Sequence, residues 1–75
     1  MSLRGYSLNL VLANRSADPK HIGVRLGRAC IALKMPVSDI AKTFGVSRMT
    51  VYSWFTGISM PRKDKIEQIE KFLSS

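Results

Sequence analysis

The feature that most restricts this fold is Gly45, placed between two helical stretches too short to stand alone. Pro36 disfavours helix just before the first stretch, and Gly57 closes the second. Ile40, Ala41 and Phe44 share one face of the first, and Val51, Trp54 and Phe55 share one face of the second. Such short helices draw little stability from propensity, so each must be held by packing against the other. Ser38 is expected to cap the first, with Asp39 near its positive end. Ser47 is expected to cap the second, which runs from Arg48 to about Thr56. Gly45 is expected in the left-handed conformation, which glycine adopts without steric cost. Ala41 must be small because the second helix crosses close to it. Val46, Val51 and Trp54 clamp the pair, with Ile40 and Phe44 beneath.

The flanks supply the rest of the bundle. Asp18-Pro19 reads as a helix start, and Ile22, Leu26, Ala29, Cys30 and Leu33 then form one stripe, with Arg25, Arg28 and Lys34 off it. Pro61 opens a last helix whose apolar residues are Ile66, Ile69, Phe72 and Leu73. Residues 1–17 differ. Tyr6, Leu8, Leu10 and Leu12 alternate with Ser7, Asn9, Val11 and Ala13, the period of a strand. A lone strand needs a partner copy. A flexible arm, or a short helix with Leu8, Val11 and Leu12 on one face, is also compatible with the pattern. The expected architecture is all-α, a four- to five-helix bundle, divided into an N-terminal arm (1–17) and a helical domain (18–75).

Charge narrows the function. The 75 residues carry twelve Lys and Arg against five Asp and Glu, a formal charge of +7, so an acidic partner is expected, nucleic acid first. One cysteine, Cys30, and one histidine, His21, allow neither an internal disulfide nor a metal cluster. The longest apolar run, Ala29 to Leu33, is far below the ~20 residues that span a bilayer. No signal-peptide pattern precedes it, so a cytoplasmic place, in the bacterial cytoplasm or nucleoid, is expected. No paired carboxylates, activated nucleophile or phosphate loop are evident. The expectation is a chain that is not an enzyme, with no cofactor, no metal, no membrane contact and no small-molecule ligand.

Two short helices joined at a glycine form the helix-turn-helix used by DNA readers. Subtracting the buried Val51, Trp54 and Phe55 leaves Arg48, Met49, Tyr52 and Ser53 on one outward face. Residues about 20–73 resemble the Cro and phage-repressor (lambda-repressor-like) family. The likeness rests on IGVRLGRA (22–29), VSDIAKTFGVSRMTVYSWFTG (37–57) and GISMP (57–61).

The resemblance implies a fold of this bundle type and double-stranded DNA as partner. It implies base reading by Ser47, Arg48, Met49 and Ser53, with Tyr52 at the flank. Phosphate contacts fall to Arg62 and Lys63 at the start of the last helix, with Lys42 and Thr50 beside them. The chain departs from the family at Val37, where many members carry glutamine. It departs again at Cys30 and Phe55, where many pair a buried arginine with a glutamate. A fifth helix after the last one, often part of the dimer contact, is not found in the pattern. A homodimer paired through Tyr6 to Ala13 is one remedy. The expected function is a sequence-specific transcriptional regulator, a phage or prokaryotic repressor. The alternatives are a module that binds a host protein such as a polymerase subunit, and a recombination accessory protein.

Overall fold

The computed structural model describes residues 8–74, and the described residues are helical throughout apart from turns. Five helices follow in order: α1 (Leu8–Ser16), α2 (Ile22–Ala32), α3 (Val37–Phe44), α4 (Arg48–Phe55) and α5 (Lys63–Ser74). The expected all-α bundle is therefore present. The strand reading of the first segment is corrected, because Leu8–Ser16 is a helix; Tyr6 and Ser7 lie outside the described residues. The short-helix alternative holds, with Leu8, Val11 and Leu12 on one face, but that face is not the buried one. Leu10 and Asn14, four residues apart, turn inward, while Leu8 and Leu12 are exposed. The alternation misled because an asparagine takes the second inward position, so only one leucine marks the face.

Helix starts depart from expectation in two places. Asp18 does not cap α2; its Oδ1 accepts from the Lys20 amide in the preceding turn. His21 is the N-cap, and its Nδ1 accepts from the amides of Gly23 and Val24 at 3.0 and 3.4 Å. Ser38 does not cap α3; it lies inside the helix, which begins at Val37 after Pro36 and has no side-chain cap. Ser47 caps α4 as expected, its Oγ accepting from the Thr50 amide at 3.2 Å.

Three successive helices end in the same way. The chain turns left-handed at Lys34 (φ 58°), Gly45 (φ 66°) and Gly57 (φ 77°). In each case the next amide reaches back across the turn: Met35 to Cys30 O, Val46 to Ala41 O and Ile58 to Ser53 O, at 3.0, 2.9 and 2.9 Å. This satisfies carbonyls that the helix end leaves open. α2 thus stops at Ala32, before Pro36 is reached, and Leu33 lies exposed beyond the stripe it was assigned to.

The core joins Leu10, Leu26, Cys30, Val37, Ile40, Ala41, Phe44, Val51, Trp54, Phe55 and Ile69. Phe44 ties α3 to α4 and α5 through edge-to-face contacts with Trp54 and Phe72, at centroid distances of 6.2 and 5.9 Å. α2 approaches α4 so closely that two glycines are needed. A Cβ on Gly23 would lie 2.6 Å from Trp54 O, and one on Gly27 would lie 2.8 Å from Phe55 Cγ. The one buried polar side chain among the described residues, Asn14, donates from Nδ2 to Val24 O (3.2 Å) and to Phe55 O (2.7 Å). It links α1 to both α2 and α4.

Candidate nucleic-acid interface

α4 presents its two sides as the sequence implies. Val51, Trp54 and Phe55 are buried, whereas Arg48 and Met49 are fully outside, Met49 at 76% exposure. Tyr52 is exposed, and Thr50 and Ser53 are half-buried. The helix is fixed at both ends. Ser47 closes its first turn and also lies 3.0 Å from Thr50 Oγ1. Gly57 closes its last. The Ser47 hydroxyl is thus engaged in shaping the helix start, which orients the backbone from which Arg48 and Met49 project.

Arg48 and Tyr52 flank a notch completed by Pro36, Val37 and Ser38 at the start of α3. Val37 is buried in the core at 2% exposure, so the position where the resembling family carries glutamine is used here for packing. Cys30 and Phe55, at the places of the family's ion pair, are both fully buried. Two apolar groups there avoid the desolvation cost of a buried pair.

A second hollow brings Thr50 together with Ser59, Arg62 and Lys65, over Val46, Trp54 and Pro61. Thr50 and Arg62, both expected phosphate contacts, therefore share one recess. Lys63 is exposed in the first turn of α5, and Lys42 is exposed on α3; neither lines the recess of Thr50 and Arg62 or the notch of Arg48. Arg62 is the residue before α5, its carbonyl accepting from Ile66 N at 2.8 Å.

Lys65 is a residue that sequence reasoning missed. Its Nζ donates to Phe44 O at 2.6 Å, so a cation from α5 caps the negative end of α3 just before the turn. Asp64 and Glu67 nearby give it the alternating charges of an ordinary solvated helix face. Gly23 and Gly27 were missed too, although their four-residue spacing on one helix face was a readable sign of close approach.

Among the described residues, no helix is long and apolar enough to cross a membrane. Searches of curated proteins and of solved structures gave no match. A family model described as helix-turn-helix matches residues 26–74, more than half of the chain, and takes in α3, the Gly45 turn, α4 and α5. The chain therefore belongs to the helix-turn-helix family, as a DNA-binding domain of the Cro and repressor type.

Proposed function

We propose that this domain is a sequence-specific transcriptional regulator of the prokaryotic or phage repressor kind, with α4 lying in the major groove. The observation that carries the reading is the exposed face of α4. Arg48, Met49 and Tyr52 stand outward on a helix whose opposite side is locked into the core. Arg48 is the principal base reader, because a guanidinium fork matches guanine O6 and N7. Met49 supplies an apolar contact suited to a thymine methyl. Ser47 and Ser53 complete the reading face, and Tyr52 stands at its edge. Thr50 and Arg62, drawn into one recess, hold the sugar–phosphate backbone, with Lys63 and Lys42 adding charge alongside.

One short helix spans only a few base pairs, so the reading includes a homodimer on a two-fold operator. Regulation follows from occupancy of that operator, without chemistry at the site. The test is selection of bound duplexes from a random pool at near-physiological salt, followed by affinity measurements on two variants. An enriched palindrome supports both specificity and the dimer. Arg48→Ala is expected to relax preference at one base pair, by about 1–3 kcal/mol. Arg62→Ala is expected to weaken all sequences alike and to lower the salt dependence by about one phosphate's share. No enrichment, with binding that vanishes as salt rises, would reduce the activity to charge attraction and sink the proposal.

A further inference from the structure

α1 and α2 enclose a groove on a part of the molecule that the DNA reading does not use. It is lined by Val11, Asn14 and Arg15 from α1 and by Arg28, Ile31 and Ala32 from α2. Its apolar residues, Val11, Ile31 and Ala32, leave polar contacts to Asn14 and to the two arginines. The outer side of α1 extends the apolar surface, because Leu8 and Leu12 are exposed at 63% and 49% and share the helical stripe of Val11 and Arg15. None of the groove residues lines the recesses of Arg48 or Arg62.

The electrostatics of this groove are one-sided. α1 and α2 together contain Arg15, Arg25 and Arg28 and no acidic residue. Arg28 donates from Nη2 to the backbone oxygen of Arg15 at 3.1 Å, which holds its guanidinium over the end of α1. Neither Arg15 nor Arg28 has a carboxylate partner among the described residues. A fixed cation beside an apolar floor is the complement of a segment that carries apolar and acidic residues together.

We infer that the α1–α2 groove is a docking site for an acidic amphipathic helix of another protein. The leucine-like face of that helix would lie along Leu8, Val11, Leu12 and Ile31, and its carboxylates would meet Arg15 and Arg28. This is the helix-in-groove mode of recognition. A nucleic-acid backbone fits less well, because it has charge for the arginines but nothing to cover the leucines. The inference goes beyond the proposed DNA reading and does not depend on it. The domain would then bind DNA on one side and recruit a protein on another.

The test uses the whole chain and a labelled, helix-forming Leu/Glu peptide with leucines at i, i+3, i+4 and i+7. Saturable binding is expected, with amide shifts centred on Val11, Arg15, Arg28 and Ile31. Arg15→Glu and Leu12→Ser are each expected to weaken binding by at least about fivefold, and both positions are exposed enough to leave thermal unfolding little changed. A peptide with the same composition in scrambled order is expected to bind much more weakly. Equal binding by the scrambled peptide would mean charge attraction alone and would overturn the inference. So would shifts centred on Arg48 and Arg62, absence of binding, or displacement of the peptide from the groove by a DNA duplex. Sedimentation of the free chain covers the remaining occupant, since self-association lost in Leu12→Ser would assign the groove to a second copy instead. DNA affinity measured separately on the same variants keeps this outcome distinct from the fate of the regulator reading.

Discussion

Lys34 does with a lysine what Gly45 and Gly57 do with glycine. Among the described residues it is the one non-glycine with positive φ, at 58°. A side chain in that conformation costs roughly 1–2 kcal/mol, partly offset for glycine by its freer unfolded chain. Lys34→Gly is therefore expected to stabilise the fold by about 0.5–1 kcal/mol, read as a higher urea midpoint at unchanged slope. Cys30 gives a prediction of opposite character. Burial pushes its thiol up from 9.0 to about 12. Between those values the folded chain keeps the proton and the unfolded chain loses it. The unfolded state then binds fewer protons, so stability falls as pH rises through that window, by about 1.4 kcal/mol per pH unit from this group. Below the unfolded value the group contributes no slope. Comparing urea midpoints of the parent and Cys30→Ala at about pH 8 and about pH 10.5 isolates the term, because the other titrating groups are common to both. A slope equal in the two proteins would remove Cys30 as its source.

At the scale of elements, the packing of α2 on α4 decides where the exposed face of α4 sits. Gly→Ala inside a helix normally gains about 1 kcal/mol from propensity. At Gly23 the added methyl would meet the backbone of Trp54 at 2.6 Å, and backbone cannot swing aside as a flexible side chain can. Gly23→Ala is expected to destabilise by about 1–3 kcal/mol net, measured by chemical denaturation; a gain in stability would show that α4 is free to shift.

The helix pair around Gly45 was legible in the sequence because its demands are local. Small Ala41, left-handed Gly45 and apolar Val46, Val51 and Trp54 all sit within one short span. The outward face of α4 followed by subtraction: Arg48, Met49 and Tyr52 are exposed, while Ser53 is half-buried. What escaped reading depends on residues far apart in the chain. The Lys65 contact with Phe44 O crosses 21 positions, and nothing around Lys65 announces it. Helix starts escaped for a different reason. Asp18 and Ser38 are both good caps by type, yet the turns before α2 and α3 place His21 and Pro36 at the boundary.

At the scale of the molecule, α1 is part of the same core as the matched helices, although the family match begins later, at residue 26. Asn14 is the joint. Its amide serves Phe55 O, a carbonyl at the end of α4, together with Val24 O in α2. Asn14→Ala removes both bonds and leaves a small void, so a loss of about 2–3 kcal/mol is expected in equilibrium unfolding. A much smaller loss would mean that water enters and replaces the amide.

The same asparagine sets an order in time. Its bond to Phe55 spans 41 positions, whereas the turn at Gly45 closes between neighbours. Loop closure favours the near contacts first. On the ribosome, then, α1 emerges before its acceptor on α4 exists, and until α4 is complete Asn14 has only the nearer Val24 O of α2 to bond. Refolding should repeat that sequence: Asn14→Ala should hasten unfolding and leave the folding rate almost untouched. The contact between α1 and α4 is the last of these to close.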